Sequence, residues 1–195
     1  LGAGLGSGSS DAAAALKALN ELAGGILPPD RLAALAARVC SDCALFLHDG
    51  PVVMRGRGEQ VTALADGARD RLRGRKLLVF KPAFAISTAW AYARLAAAAP
   101  RGYLPPAESD ARLVAWQNGS ASAEDLLYNN LEPVAFTKFP ALPVLLARLH
   151  RDFGLAPRMS GSGSACFSFL PDDAPVAEVC AAIRQTWGDS AFLVQ

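Results

Sequence analysis

The sequence predicts an α+β protein built in two parts, and three observations predict it. Apolar residues recur at helical spacing in several long blocks, whereas other blocks are short apolar runs closed by Gly, Asp or Pro. The two kinds do not alternate regularly, as a doubly wound α/β chain would require. A basic, glycine-containing stretch, Asp66 to Lys76 ("DGARDRLRGRK"), reads as a solvated turn or connector and sets a boundary near Arg75.

Taken in order, the spacing of Ala12, Leu16, Leu19 and Ala23 predicts a helix over 11–23, ended by Gly24-Gly25. A second helix follows Pro28-Pro29, with Asp30 as its N-cap and Leu32, Leu35, Ala36 and Val39 on its apolar face. Ala44 to Leu47 is a short apolar run before Asp49-Gly50 and reads as a strand. "PVVMRGRGEQVTAL" reads as a strand pair around its glycines, and "LLVFKP" as a buried strand. A helix is expected over 87–99, capped by Ser87 or Thr88 and stopped by Pro100. After a Pro-rich loop at 101–110, helices are expected over 111–117, 124–131 and 141–153, the last ended by Gly154. "MSGSGSACFSFL" reads as a Gly/Ser loop entering a strand. A helix over 176–186 and a strand over 191–194 close the chain.

Over 195 residues, 52% are hydrophobic and 19% charged, enough apolar side chain for a globular core. The formal net charge of +1 argues for neither nucleic acid nor an anionic membrane as partner. No apolar run reaches the ~20 residues that span a bilayer, and the first residues lack the pattern of a signal peptide. Of the cysteines, Cys40 and Cys43 have metal-like spacing, but no second Cys/His pair follows at finger spacing. No metal ligand is therefore assigned. Cys40, Cys43, Cys166 and Cys180 are expected as buried or half-buried free thiols in a reducing cytoplasm. His48 and His150 are assigned no chemistry.

The first residues, "LGAGLGSGSSDAAAAL", combine alternating glycines with a helix directly behind them. Gly tolerates positive φ, so successive N–H groups can turn inward and form an anion nest. The unpaired amides of a helix N-terminus add to it. Ser9 or Ser10 can cap that helix or reach a phosphate or its metal. A flexible Gly/Ser linker is the plainer alternative. A Walker loop is excluded because no Gly-Lys-Ser/Thr follows, and the third glycine of a dinucleotide fingerprint is one place out of register.

This stretch resembles the phosphate-binding motif of the GHMP kinases, and its "GLGSGSSDAAA" form looks most like the 4-diphosphocytidyl-2-C-methyl-D-erythritol kinases within them. The resemblance continues at Ser41-Asp42 in "CSDCALFL", where the family carries its catalytic Asp. Cys40 and Ala44 depart from the family's Gly and Pro there. It continues at "RGRGEQV" (Arg55 to Val61), where glycines also suggest a turn or bulge with Arg57 and Glu59 as a surface pair. In "FAISTAWAY" (Phe84 to Tyr92) the family's base-stacking aromatic falls on Tyr92, with Trp90 as a rival. It reaches "NNLE" (Asn129 to Glu132), where Asn130 replaces the family's Asp, and "MSGSGSACF" (Met159 to Phe167), the family's last glycine loop.

The resemblance implies the two-domain GHMP kinase fold. Residues 1–75 would be the latter part of an N-terminal, ATP-binding domain of the ribosomal-protein S5 type. Residues 76–195 would form a C-terminal ferredoxin-like α/β sandwich. Leu1, Gly2, Ala3, Gly4, Leu5, Gly6, Ser7, Gly8, Ser9 and Ser10 would hold ATP, with Mg²⁺ bridging its phosphates. Asp42 would orient the acceptor hydroxyl and take its proton. Tyr92, Thr88, Gly161, Ser162, Gly163 and Ser164 would bind the substrate, diphosphocytidyl methylerythritol, phosphorylated at its 2-hydroxyl in non-mevalonate isoprenoid biosynthesis. The alternatives are another small alcohol, such as homoserine, mevalonate or a sugar, or a nucleotide-binding module without transfer chemistry. No nucleic acid or membrane partner is implied, and a weak homodimer is compatible with the reading. Family members carry a segment ahead of the first loop, including a Lys that acts with the catalytic Asp. The chain is thus expected to be a fragment with little kinase activity alone, its first loop better fixed at the helix end than at its first residues.

Overall fold

The computed structural model describes residues 3–195; Leu1 and Gly2, both assigned to ATP binding, lie outside them. The described residues divide into two compact units, Gly6–Arg73 and a larger one formed by Gly74–Gln195 together with residues 3–5. Among the described residues, no helix is long and apolar enough to cross a membrane.

The smaller unit begins with α1 (Ser7–Leu22) and α2 (Pro29–Val39). Asn20 joins them: its Nδ2 donates to the Leu27 carbonyl at 3.0 Å and its Oδ1 accepts from the Leu27 amide at 2.9 Å. Helix α1 starts earlier than the apolar spacing indicates, because Gly6 (φ 69°) is its N-cap and Ser7 to Ser10 already lie in its first turn. Neither Ser9 nor Ser10 is therefore the cap, and the Ser10 hydroxyl donates back to the Ser7 carbonyl at 2.8 Å. Pro28 is the N-cap of α2, which moves Asp30 into the first turn, where a carboxylate favours the helix dipole.

The run expected as a strand after α2 is a 3-10 helix, Cys43–Leu47. Four apolar residues do not distinguish the two periods, and the turn that precedes them decides. Cys40 and Cys43 are joined in a disulfide rather than free, with Cα atoms 5.3 Å apart, within the span a disulfide bridges. Strands β1 (Val52–Arg55) and β2 (Gln60–Ala63) form the expected hairpin, in register Val52↔Ala63. The supposed connector then contains a short helix, α3 (Asp66–Asp70), aided by the i,i+3 pair of Asp66 and Arg69 at 3.6 Å. Ala36, Cys43 and Ala44 form the small core, against which Ala12, Leu16, Leu47 and Val61 pack.

The larger unit is an antiparallel sheet backed by helices. Its strands β3 (Lys76–Lys81), β4 (Arg158–Met159), β5 (Cys166–Leu170) and β6 (Phe192–Val194) lie in the order β4-β5-β3-β6. Pairing runs Phe80↔Cys166 on one side of β3 and Phe80↔Leu193 on the other. The remaining elements are α4 (Thr88–Ala97), α5 (Pro106–Gln117), α6 (Ala123–Leu126), α7 (Glu132–Lys138), α8 (Ala141–Phe153) and α9 (Val176–Trp187). Helix α5 starts inside the expected Pro-rich loop, since Pro106 is tolerated in a first helical turn. The helix expected over 124–131 stops at Leu126, and α7 stands where none was expected. Asn129 and Asn130 spend their side chains on backbone partners and so break the helix between them.

On α8, Leu142, Leu145, Leu146 and Leu149 make one buried stripe at helical spacing. It shares a core with Leu78 and Phe80 of β3, Cys166 of β5, and Val179 and Ile183 of α9. Trp187 closes the far end, 5.6 Å from Phe80 between ring centres, its indole N–H donating to the Ala141 carbonyl at 2.9 Å. His150 is structural, its Nδ1 2.9 Å from the Leu155 carbonyl. Leu145→Ala is expected to cost about 2–5 kcal/mol, read as a lower urea midpoint with an unchanged m-value.

Candidate active site

Strand β4 and strand β5 are joined by Ser160–Ala165, the second glycine loop. Gly161 (φ 52°) and Gly163 (φ 80°) both take left-handed backbone, and the loop closes on itself through Gly163 N–H to the Ser160 carbonyl at 2.9 Å. Residues 3–5 of the first glycine loop lie against it. The Ala165 amide donates to the Ala3 carbonyl at 2.9 Å, and the Ser160 hydroxyl to the Gly4 carbonyl at 2.7 Å. Gly4 (φ 75°) has no room for a side chain: a Cβ would overlap the Ser160 carbonyl oxygen and stand 2.8 Å from the Gly163 nitrogen. A Cβ on Gly163 would stand 2.7 Å from Met159 Sδ and 2.9 Å from Ile86 Cδ1. The two loops thus meet backbone to backbone, and only glycine permits it.

Three predicted substrate residues join this contact. Thr88 Oγ1 is 2.9 Å from Ser162 Oγ, which ties the first turn of α4 to the loop. The Ser164 hydroxyl donates to the Phe84 carbonyl. Ser162 and Ser164 are both buried. Ser164 is thus a brace of the loop; Gly161 is exposed at its edge, while Gly163 is buried against Met159 and Ile86. Ser87 caps α4 by accepting from the Trp90 amide at 3.3 Å.

The segment "NNLE" plays a part that sequence reasoning underrated. Asn129 Nδ2 donates to the carbonyls of Met159, at 2.7 Å, and Gly161, at 2.9 Å. Glu132 Oε1 accepts from the Met159 amide at 2.7 Å. Asn129 and Glu132 therefore hold the glycine loop from beneath, and Asn130 Oδ1 takes the Leu104 amide at 2.9 Å. The legible signal was the segment itself, with two amides and a carboxylate in an otherwise apolar neighbourhood. Burial pushes the Glu132 carboxyl above the usual glutamate range, opposed by the Met159 N–H and the Arg158 charge.

On α4, Tyr92 and Trp90 have separate fates. Trp90 is edge-on to Phe139 at 5.8 Å, with the Lys138 ammonium 4.5 Å from its ring centre. It lines, with Arg94 and Ala98 one and two turns on, a cavity of about 680 Å³ beside α7. Tyr92 is not among the residues lining that cavity and is 55% exposed.

The helix end of the first loop and Asp42 both belong to the smaller unit. The first-turn amides of α1 have no capping side chain and no intrahelical acceptor. Gly6 abuts Phe46 of the 3-10 helix, where a Cβ would stand 2.8 Å from the ring. Asp42 is the N-cap of that 3-10 helix (φ −98°, ψ −3°); its side chain is exposed and caps nothing. The hairpin glycines come close by: a Cβ at Gly58 (φ 112°) would overlap the Ser41 carbonyl. Beside Ser41 opens a cavity of about 520 Å³ lined also by Ala37, Arg38, Arg57 and Glu59. The Glu59 carboxylate accepts from the Arg57 amide at 2.6 Å, and backbone N–H groups hold it below the usual glutamate range. Among the described residues no cluster of three or more His, Cys, Asp or Glu is positioned to hold a metal.

Two outcomes are expected. Gly4→Ala should disrupt the meeting of the loops, and Ser160→Ala, which removes one bond without adding bulk, should do so far less; native-state hydrogen exchange at the Gly163 and Ala165 amides reads the difference. Because the folded state holds the Glu132 proton more firmly than the unfolded chain, it loses stability as pH rises from the ordinary glutamate value through the raised folded one. Glu132→Gln keeps an acceptor for Met159 and removes that dependence, so urea midpoints of native and variant protein should diverge across this window.

The first 50 residues match the model of the GHMP kinases N terminal domain, and residues 115–189 that of the GHMP kinases C terminal. A 4-diphosphocytidyl-2-C-methyl-D-erythritol kinase of Rhizobium etli is 32% identical over 189 residues, 97% of this chain and 60% of that protein. One of Nitratidesulfovibrio vulgaris is 39% identical over 169 residues, 87% of this chain and 57% of that protein. The chain thus spans somewhat more than half the length of these relatives. A crystal structure of a 4-(cytidine 5'-diphospho)-2C-methyl-D-erythritol kinase superposes with a TM-score of 0.67 at 33% identity, covering 98% of this chain and 65% of that one. A homoserine kinase from Cytophaga hutchinsonii, 18% identical with a TM-score of 0.72 over all of this chain and 66% of that one, shares the fold. With both halves of the family pattern present in one chain of this fold, the protein belongs to the GHMP kinases.

Proposed function

We propose that this protein transfers the γ-phosphoryl group of ATP, with Mg²⁺, to the 2-hydroxyl of 4-diphosphocytidyl-2-C-methyl-D-erythritol, a step of non-mevalonate isoprenoid biosynthesis in the cytoplasm. The observation that carries it is the backbone fit of Gly4 against Ser160 and Gly163, which brings the two glycine loops into direct contact. The shared name of the relatives supports the choice of acceptor.

The residues present fit a polyphosphate. Positive-φ glycines at positions 4 and 6 and the uncapped first turn of α1 offer N–H groups to anionic oxygens. The hydroxyl of Ser9 or Ser10 would reach a phosphate or its Mg²⁺. ATP, when bound, supplies the phosphoryl group. Asp42 accepts the proton of the acceptor hydroxyl as the new P–O bond forms and the bond to ADP breaks. Tyr92 stacks on the cytosine ring, and Thr88 with the Gly161–Gly163 backbone holds the acceptor. Gly161, Ser162, Gly163 and Ser164 keep this loop in place through their contacts with Phe84, Thr88 and Met159.

In the full-length protein, Asp42→Asn should lower kcat by about 100-fold or more with little change in KM. A retained rate would remove Asp42 from the chemistry. Tyr92→Ala should raise KM for the cytidine-bearing acceptor about tenfold and leave KM for ATP unchanged. Offered homoserine, mevalonate and a hexose in parallel, the enzyme should phosphorylate the diphosphocytidyl acceptor preferentially. Preference for another alcohol would replace the acceptor and keep the kinase.

A further inference from the structure

We propose that Cys40 and Cys43 form a reversible thiol–disulfide exchange site, taking an anionic low-molecular-weight thiol couple, and that the bond sets the rigidity of the turn that carries Asp42. The two cysteines bracket Ser41 and Asp42 and are bonded in the structure. The same turn is closed by the Cys43 amide donating to the Cys40 carbonyl at 3.4 Å, a long and weak hydrogen bond. The covalent link is therefore its strong closure. A loop this short removes little entropy from the unfolded chain, so the bond acts on the turn more than on global stability.

The surroundings determine how the bond is opened. Cys43 is fully buried in the small core, whereas Cys40 is half-buried at the end of α2. An incoming thiolate reaches Cys40 Sγ. It forms a mixed disulfide there and expels Cys43 as a thiolate, which takes up a proton. A second thiolate attacks the incoming sulfur of that mixed disulfide, releases Cys40 as a thiolate that protonates, and leaves as the oxidised couple. Two thiols are oxidised and one disulfide is reduced; oxidation is the reverse, with the oxidised couple as the named co-reactant. The cavity of about 520 Å³ is lined by Ser41, the residue after Cys40, and not by either cysteine; its Arg38 and Arg57 favour an anionic thiol close to Cys40. Glu59, on the same wall, is engaged with the Arg57 amide at 2.6 Å.

Reduction leaves the Asp42 turn with the Gly58 contact, the weak hydrogen bond and the packing of Cys43 and Ala44 in the small core. Its effect on phosphoryl transfer rests on the function proposed above; the exchange itself does not. The folded protein is equilibrated with reduced and oxidised glutathione in varied ratio, alkylated without denaturant, and mapped by peptide mass. The expected result is that Cys40 and Cys43 gain label together as the ratio turns reducing and lose it on return, with a glutathionyl adduct on Cys40 and none on Cys43. A parallel arm with dithiothreitol should reach the same dithiol without an adduct. The Ser41, Asp42 and Cys43 amides should exchange about tenfold faster in the reduced protein. Cys40→Ser should reproduce the fast exchange in every buffer. A bond that resists both thiols in the folded protein, cysteines that stay labelled under oxidised glutathione, or amide exchange indifferent to the redox state would each overturn the proposal. In the full-length enzyme kcat should fall several-fold on reduction, reversibly. If no redox state shows transfer, the kinase reading fails while the mass and exchange data still decide this site.

Discussion

The contact on which the rest of the site depends is the meeting of two backbones at Gly4. Its Cα faces the Ser160 carbonyl and the Gly163 amide with no space for a β-carbon. Everything nearby serves to hold the second loop where that meeting happens. Asn129 takes its carbonyls, Glu132 its leading amide, Thr88 its central hydroxyl and Phe84 its trailing one. The cost is a half-buried carboxylate whose proton is held too tightly. The return is a loop held in place with Gly161 exposed and Ser162 to Ala165 buried.

The smaller unit solves a related problem differently. Asp42, proposed above to act on the acceptor, is exposed, so burial does not orient it. Its backbone is instead constrained from both sides. A disulfide spans it, the buried Cys43 and Ala44 anchor the residues that follow, and Gly58 leaves room for the Ser41 carbonyl in front. Phe46, three residues beyond Cys43, lies against Gly6 at the start of α1. The amides proposed for phosphate and the carboxylate proposed for the hydroxyl are thereby fixed to one small core.

Where local pattern was strong, the fold was legible. Helix α8 is bounded as its leucine stripe and Gly154 indicate, and the hairpin of β1 and β2 turns at its glycines. Where four or five residues had to decide between periods, the neighbours decided. Ala44 to Leu47 continue a 3-10 helix that begins at the bonded Cys43, with Cys43 and Ala44 packed in the small core. Helix α7 escaped notice because the residues ahead of it read as one continuous helix, and the side chains of Asn129 and Asn130 interrupt it through partners far away in sequence. The cysteines were misjudged for a similar reason: spacing alone does not say whether two Cα atoms come within bonding range.

By itself the sequence determined the type of each glycine-rich loop, the helix behind the first, the acidic residue after α2 and the kinship these motifs carry. All depend on residue identity and local spacing, which the chain states directly. Only the tertiary structure decided that Ser164 and Glu132 brace the loop, that Trp90 lines the cavity beside α7 while Tyr92 does not, and that Cys40 and Cys43 are joined. Each of these turns on which groups distant in sequence come within a few ångströms, and that is set by packing rather than by order along the chain.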